Sequence, residues 1–265
     1  MMEILVPILT LGFLGLVFGV GLAIASKRFH VQIDPRLEAI HGLLPGSNCG
    51  ACGGAGCFGF AEALLSGKLS IDACRVSESK VKEKIAEILG EKFEKKIKTV
   101  ATLHCNGGKK VADRFDYRGI KDCVAANLVM GGQKACIYGC LGFGTCVEVC
   151  PFGAISMNEE DLPVIDEKKC TGCGKCVKVC PKKLFSLVAV DKKYYVACSS
   201  LDIGRKVMEV CKVGCIACFK CEKSCPVGAI KVVDNLAKFD YNKCQNLGKC
   251  FEVCPTKVIK KRGLA

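Results

Sequence analysis

Residues 170–181 read CTGCGKCVKVCP and residues 215–226 read CIACFKCEKSCP, so the pattern C-x2-C-x2-C-x3-C-P occurs twice without a break. Two incomplete copies flank them, each lacking the second cysteine, which is replaced by Phe143 in one and by Leu247 in the other. The incomplete copies keep Cys140, Cys146 and Cys150 before Pro151, and Cys244, Cys250 and Cys254 before Pro255. Five fixed positions matched twice are not a chance arrangement, so these runs decide how the chain folds.

The spacing is that of polypeptides that hold paired iron–sulfur clusters, because each iron of a four-iron cube needs one thiolate. Three cysteines two residues apart wrap one cluster, and the fourth, fixed by its proline, reaches the other cluster of the pair. One cluster of the first pair is then expected at Cys170, Cys173, Cys176 and Cys150. One cluster of the second pair is expected at Cys215, Cys218, Cys221 and Cys254.

The other cluster in each pair is short of one thiolate. Cys140, Cys146 and Cys180 need a fourth ligand, and Cys136, four residues before Cys140, is the nearest candidate. Cys225, Cys244 and Cys250 have no cysteine just upstream of Cys244. Their site holds a [3Fe-4S] cluster, receives Cys211 or Cys198, or is weak or empty; we favour a cluster that lacks one protein thiolate.

A separate group opens the part of the chain after residue 28, where GSNCGACGGAGC and a later cysteine give C-x2-C-x4-C-x16-C. Its members are Cys49, Cys52, Cys57 and Cys74. The glycines let the backbone fold close around an inorganic core and turn amides toward its sulfides. We interpret this group as another four-iron site, which brings the expected total to about five iron–sulfur clusters, mostly [4Fe-4S].

Two other uses of the 23 cysteines fit less well. Zinc also takes four thiolates, but zinc ribbons use separated pairs and do not need triplets followed by C-x3-C-P. A disulfide framework requires an oxidising compartment and is typical of much shorter chains. Cys105, Cys123, Cys198 and Cys211 fall outside the runs, and we interpret them as small buried apolar residues in preference to redox or ligand roles.

The amino end predicts a membrane anchor. Residues 4–25 carry no charge, and a helix rising about 1.5 Å per residue crosses a hydrocarbon layer of roughly 30 Å at that length. A secretory signal peptide is the alternative, since residues 23–25 match a small-x-small cleavage site. However, Glu3 precedes the apolar run and Lys27 and Arg28 follow it, the reverse of a signal peptide. The positive-inside rule then leaves the cluster domains on the cytoplasmic side of the cytoplasmic (inner) membrane, behind a single span.

The expected fold class is α+β, with one N-terminal transmembrane helix, a small four-iron cluster domain and two tandem bacterial-type dicluster ferredoxin domains. The predicted divisions are 1–28, 29–133, 134–197 and 198–265. Helices are expected over 34–44, 59–66, 77–98 (ending or breaking at Gly90) and 203–210. Strands are expected over 184–190 and 194–198 as a hairpin, and over 229–233 and 236–239, with a frayed tail at 257–262.

The net charge of +13 lies on the part after the apolar run, with groups such as Lys178, Lys182, Lys183 and Lys192, Lys193. A positive surface attracts acidic electron donors. Offsetting of cluster charge and contact with anionic lipid are the alternatives. Nucleic acid is disfavoured because tryptophan is absent and aromatic residues make up only 7%. No phosphate loop, dinucleotide motif or nucleophile with its base is present, so the sequence predicts no catalytic residue.

The order of these features resembles the B subunits of the Rnf complexes over essentially the whole chain. The resemblance rests on the single N-terminal span, on C-x2-C-x4-C-x16-C, and on CIYGCLGFGTCVEVCPFGAI and CTGCGKCVKVCPK. It implies a subunit of an ion-translocating ferredoxin:NAD oxidoreductase that takes electrons from soluble reduced ferredoxin and carries them only. It also implies ligands at Cys49, Cys52, Cys57 and Cys74, and from Cys136 through Cys180 in the first pair. Leu247 departs from a complete run.

Two other functions remain open from the sequence. The first is electron transfer as a subunit of another membrane oxidoreductase, such as a hydrogenase. The second, from a different class, is that of a membrane-tethered zinc-binding scaffold. Iron–sulfur protein is brown and bleaches on reduction, whereas zinc protein is colourless, so the purified material separates these classes.

Overall fold

The computed structural model describes residues 2–29, 34–94 and 97–263. The α-helices are α1 (Met2–Arg28), α2 (Pro35–Leu43), α3 (Gly56–Leu65), α4 (Ser79–Leu89), α5 (Cys123–Leu128), α6 (Thr145–Glu148), α7 (Lys175–Val179), α8 (Gly204–Val210), α9 (Lys220–Lys223) and α10 (Lys249–Glu252). The strands are β1 (Thr99–Leu103), β2 (Ile155–Met157), β3 (Pro163–Ile165), β4 (Phe185–Ala189), β5 (Tyr194–Val196), β6 (Ile230–Val233), β7 (Leu236–Phe239) and β8 (Ile259–Lys261). Short 3-10 turns occur at Ile71–Ala73 and Gly108–Lys110.

Helix α1 contains the predicted span. Its segment Ile8–Arg28, 21 residues with a mean hydropathy of 2.4, is long and apolar enough to cross a membrane, and none of it is buried against the rest of the chain. Lys27 and Arg28 lie in its last turn. Among the described residues, this is the one helix long and apolar enough to cross a membrane, as a membrane anchor must be.

Helices α2, α3 and α4 form a small N-terminal core around the fully buried Ile40, Phe60 and Ile85. Asp34 caps α2 by accepting the Arg36 backbone N–H at 2.9 Å. Helix α4 stops at Gly90, which adopts a left-handed conformation with φ of 71°, as its position in the sequence predicts. The expected helix over 77–98 ends there, and its residues 95 and 96 lie outside the described part of the chain.

Each ferredoxin-like unit contains a short hairpin and two one-turn helices. Strand β2 pairs with β3, and β6 with β7, both antiparallel, so the predicted strands over 229–233 and 236–239 are confirmed. Each one-turn helix buries the cysteine at its second position; these are Cys146, Cys176, Cys221 and Cys250. The helices thereby aim their thiols inward, and α8 lies where a helix over 203–210 was expected.

The predicted hairpin between 184–190 and 194–198 is wrong, although both strands exist. Strand β4 pairs antiparallel with β1, from Thr99↔Ala189 to Leu103↔Phe185. Strand β5 instead pairs with β8, in the register Tyr195↔Lys260. Residues 190–193 therefore pass from one sheet to the other, because each strand finds a distant partner that the local sequence does not reveal. Strand β1 belongs to the core of the first pair with Leu184 and Cys170, not to the N-terminal helices.

The tail is ordered, so its predicted fraying is also wrong. Val258 and Ile259 are 3% and 1% exposed. Arg262, whose side chain is 7% exposed, forms an ion pair with Glu167 at 2.7 Å. Its guanidinium also donates to the Lys192 carbonyl oxygen at 2.9 Å and to the Thr102 hydroxyl. One buried cation thus ties the end of the chain to the first pair.

Candidate iron–sulfur sites

The N-terminal cysteine group converges as predicted. Cys49, Cys52, Cys57 and Cys74 line one cavity of about 340 Å³. Asn48 accepts the Cys57 backbone N–H at 2.7 Å, and the Ser77 hydroxyl oxygen lies 3.1 Å from Cys74 Sγ. Gly56 has φ of +79°, and a Cβ there would lie 2.8 Å from Asn48 Oδ1. Only glycine suits this close approach, so the glycine-rich loop holds the cysteines at their separation.

The first intact run also gathers its predicted partner. Cys150 lines one cavity of about 320 Å³ with Cys170, Cys173 and Cys176. The Ala101 backbone N–H lies 3.5 Å from Cys170 Sγ, and the Ala154 N–H lies 3.4 Å from Cys150 Sγ. Backbone N–H groups aimed at cysteine sulfur stabilise negative charge on the thiolate. One of these donors comes from β1, which explains why that strand packs here.

The second site of the first pair has a fourth cysteine that the sequence did not indicate. Cys123, Cys140, Cys146 and Cys180 line a cavity of about 400 Å³, and Cys136 is not among its lining residues. The Leu184 N–H donates to Cys180 Sγ at 3.5 Å. The structure therefore brings together four thiols at this site, with Cys123 in the place expected for Cys136.

Cys123 is fixed by hydrogen bonds at the start of α5. Asp122 caps this helix by accepting the Ala125 N–H at 2.8 Å, and it also accepts the Thr145 hydroxyl at 2.7 Å. Thr145 Oγ1 in turn accepts the Cys123 N–H at 2.7 Å. These hydrogen bonds lower the pKa of Asp122 and keep it charged. Since Thr145 begins the helix that carries Cys146, the network joins the two cysteine-bearing segments.

The second pair forms around the C-terminal runs. Burial, and then the nearby thiols of Cys215, Cys218 and Cys254, raise the pKa of Cys221 to about 12. Burial, and then Cys225 and Cys244, raise the pKa of Cys250 to about 11. Cys215, Cys221, Cys250 and Cys254 belong to one buried core, and Cys225 packs against it. Leu247, which stands where the second cysteine of the run would be, is 53% exposed.

Cys136 lines a different cavity, which it shares with Cys140. That cavity is also lined by Cys105, Cys198 and Cys211, three of the cysteines interpreted from sequence as packing residues. Cys198 and Cys211, the alternatives considered for the group of Cys225, Cys244 and Cys250, both line this cavity with Cys136. The sequence did contain a sign that Cys136 and Cys211 are alike, since each precedes the first cysteine of a run, Cys140 or Cys215, in the spacing C-x3-C.

The donor sets fit iron–sulfur clusters. Within the described ranges, no three histidine, cysteine or carboxylate side chains are arranged to hold a single metal ion. The thiols instead surround cavities, as a four-iron core requires. Burial raises the pKa of Cys146 and Cys176 to about 12. These thiols are protonated at neutral pH without metal, and cluster binding would release their protons.

Family comparisons agree with the distribution of these sites. An "Fe-S cluster" family model matches residues 44–76, which contain the N-terminal group. A "4Fe-4S dicluster domain" model matches residues 134–184 and 214–258, and a second model of the same description matches residues 162–213. The iron–sulfur cofactors and the tandem dicluster organisation expected from the sequence are thereby confirmed.

Relatives are similar over nearly the whole chain. The B subunit of the "Ion-translocating oxidoreductase complex" of Methanosarcina acetivorans is 42% identical, covering 96% of this chain and 97% of its own. The B subunit of the "Na(+)-translocating ferredoxin:NAD(+) oxidoreductase complex" of Acetobacterium woodii is 45% identical over 97% of this chain and 77% of its own. The B subunit of the "Proton-translocating ferredoxin:NAD(+) oxidoreductase complex" of Clostridium ljungdahlii is 42% identical over 98% and 93%. The chain thus belongs to the family of B subunits of ion-translocating (Rnf) oxidoreductase complexes and is an iron–sulfur electron-transfer subunit of such a complex.

Proposed function

We propose that this subunit accepts electrons from soluble reduced ferredoxin and relays them, one at a time, toward the NAD-reducing and ion-pumping subunits of its complex. The observation that carries the proposal is the convergence of cysteines from separate segments on successive cavities, in a chain whose described residues include an N-terminal helix long and apolar enough to cross a membrane. Within this proposal the chain carries electrons, and substrate chemistry takes place on its partner subunits.

Five clusters follow from the groups described above. The ligands are Cys49, Cys52, Cys57 and Cys74; Cys150, Cys170, Cys173 and Cys176; Cys123, Cys140, Cys146 and Cys180; Cys215, Cys218, Cys221 and Cys254; and Cys225, Cys244 and Cys250. The last group has three thiolates and holds a [3Fe-4S] cluster or a four-iron cluster with one non-cysteine ligand. Cys123 replaces Cys136 in this assignment because it lines the same cavity as Cys140, Cys146 and Cys180.

The membrane arrangement follows from charge. Lys27 and Arg28 directly follow the apolar segment, which favours a cytoplasmic location for everything after them. The divisions 1–28, 29–133, 134–197 and 198–265 remain our proposal for the units of the chain, with β1 of the second unit packing on the third. Protease digestion of right-side-out and inverted vesicles tests the orientation, since only inverted vesicles should lose the cluster domains.

Ferredoxin docking is proposed at the exposed end of the second pair. Within the described part of the chain, Cys218 is exposed, whereas the other cysteines are buried or half-buried. Phe219 beside it is 46% exposed, and the nearby Lys212, Lys220 and Lys223 are exposed. An apolar contact ringed by positive charge suits a small, transient interface with an acidic electron carrier. An electron arriving here reaches the cluster of Cys218 directly.

Rapid mixing and freeze-quenching test this function. The full-length chain, labelled with iron-57, purified without oxygen in detergent and oxidised, is mixed with reduced unlabelled ferredoxin, and Mössbauer spectra of the frozen samples follow the reduction of this chain alone. We expect rapid reduction whose rate falls with salt, because the encounter is electrostatic. The variant Lys220→Glu/Lys223→Glu should slow the second-order rate constant by roughly 10-fold or more.

The control variant makes the same change of charge at a different place in the chain. Lys68→Glu/Lys80→Glu alters two lysines of the N-terminal unit and should leave the rate within about 2-fold of the unmodified chain. Equal slowing in both variants would assign the effect to net charge and refute docking at Cys218. Absence of reduction by ferredoxin, in labelled protein that dithionite does reduce, would refute ferredoxin as the donor.

A further inference from the structure

The four cysteines outside the five groups meet at one place. Cys105 follows β1, Cys136 precedes the first incomplete run, Cys198 follows β5, and Cys211 ends α8. All four line one cavity of about 480 Å³, against about 400, 340 and 320 Å³ for the cavities of three groups assigned above. The site therefore has four thiols, as each of those three groups has, and its cavity is at least as large as theirs.

Two of the sulfurs, those of Cys105 and Cys211, flank the same glycine although they are far apart in sequence. A Cβ built on Gly107 would lie 3.8 Å from Cys105 Sγ and 3.7 Å from Cys211 Sγ, so the two sulfurs flank a single point. That Cβ would also lie 2.7 Å from Val111 Cγ2, which leaves room only for glycine. Burial raises the pKa of Cys136, and the thiols of Cys105 and Cys211 raise it further. These four thiols form a set, since each contacts the same cavity.

Hydrogen bonds connect the set to a neighbouring site on each side. The Cys140 N–H lies 3.5 Å from Cys105 Sγ, and Cys140 belongs to the group of Cys123 in the first pair. The Cys215 N–H lies 3.4 Å from Cys198 Sγ, and Cys215 belongs to the second pair. The Ser200 N–H also donates to Cys198 Sγ at 3.4 Å. The set therefore lies between the two pairs, one peptide unit from a ligand of each.

A buried positive charge suits an anionic group here. Lys134 lines the cavity, its side chain is 10% exposed, and its ammonium lies 3.0 Å from Asp113 Oδ1. A cluster with four thiolates carries negative charge, which a nearby lysine offsets. Cys140 also lines this cavity, but it completes the group of Cys123, Cys146 and Cys180. Each of the two cavities then has four thiols.

We propose that Cys105, Cys136, Cys198 and Cys211 bind an additional [4Fe-4S] cluster that connects the first and second pairs. It takes one electron from a neighbouring cluster, its core passing from the 2+ to the 1+ state, and returns to 2+ when that electron moves on. No proton or other reactant is consumed. The proposal rests on the role of the chain as an iron–sulfur carrier, and it joins the clusters of the two pairs into one continuous series.

Iron and acid-labile sulfide analysis of the full-length, oxygen-free chain is the first test. Five clusters give about 19 to 20 iron atoms per chain, whereas the additional cluster gives about 23 to 24, with matching sulfide. The variant Cys105→Ala/Cys198→Ala should lose about four iron and four sulfide while the paramagnetic resonance signals of the other reduced clusters persist. Tyr138→Phe changes another cavity-lining side chain without touching a thiol and should keep the full iron content.

A second measurement does not depend on a variant that folds. Alkylation of the unmodified holoprotein, followed by mass spectrometry, should leave all four cysteines unlabelled until a chelator and oxidant remove the clusters. About 19 to 20 iron atoms with these four thiols alkylated would overturn the additional site and leave the proposed function intact. One zinc per chain at this site would overturn it equally. Zinc throughout, with no sulfide, would refute the role of the chain itself.

Discussion

Replacing Cys123 by alanine tests which cysteine is the fourth ligand beside Cys140, Cys146 and Cys180. The sequence favoured Cys136, whereas the structure favours Cys123. The change removes one of four thiols lining the cavity with Cys140, Cys146 and Cys180. Three thiolates remain, the same number as in the group of Cys225, Cys244 and Cys250. We therefore expect the loss of about one iron per chain and the appearance of one additional [3Fe-4S] core.

Electron paramagnetic resonance of the oxidised protein measures this change. An oxidised three-iron core is paramagnetic, whereas an oxidised [4Fe-4S] core in the 2+ state is diamagnetic. Spin quantification should rise by about one spin per chain over the unmodified protein. The matched control is Val124→Ala. Val124 lies on the same helix and is 43% exposed, so its replacement should add no signal. Unchanged iron and spin in Cys123→Ala would show that Cys123 is a packing residue and refute the reasoning.

Three further changes test separate parts of the structure. Leu247→Cys completes the run between Cys244 and Cys250, so the iron content should rise by about one and any three-iron signal of that group should disappear; persistence of that signal would place residue 247 too far from the core. Arg262→Met removes the buried ion pair with Glu167 and should lower the free energy of unfolding by about 2–3 kcal/mol and the thermal midpoint by roughly 5–10 °C. As a control, Arg118→Met removes a surface ion pair whose two side chains are 87% and 73% exposed, and it should lower the free energy of unfolding by about 0.5 kcal/mol or less. An equal loss of stability in the Arg262 and Arg118 variants would contradict the role of Arg262 in joining the units. Gly56→Ala should empty the N-terminal site in iron analysis through its clash with Asn48, whereas Gly67→Ala, with a similar φ and open space, should keep that iron.

The local features of this chain could be predicted from its sequence. Cysteine spacing identified the groups of Cys49 and Cys170 because a short loop alone wraps most of one cluster. The apolar helix and the stop at Gly90 were predictable for the same reason, since both depend on neighbours in sequence. Strands β6 and β7 are joined by a two-residue turn, so their pairing is local as well.

The long-range features were not predictable. Strand β4 pairs with β1 and β5 with β8, whose residues are separated by more than 60 positions, and no turn signal marks such partners. Cys123 comes to its site through the Asp122–Thr145 hydrogen bonds, which link segments 22 and 23 residues apart. Distance in sequence likewise concealed the meeting of Cys105 with Cys211. Spacing predicts a ligand where it belongs to a recognised run, as for Cys150, and does not reveal a cysteine outside the runs, such as Cys123.

Counting the electrons that reduced ferredoxin delivers to the full-length chain tests the central claim most directly. In an anaerobic titration followed by Mössbauer spectroscopy of iron-57-labelled protein, each reducible cluster accepts one electron, so the five clusters of the proposed function take up about five electrons per chain and the additional cluster proposed above takes up about one more. Iron in all cluster environments should shift toward the reduced state as ferredoxin is added. A chain that takes up no electrons from reduced ferredoxin, with its metal unchanged, would contradict the account.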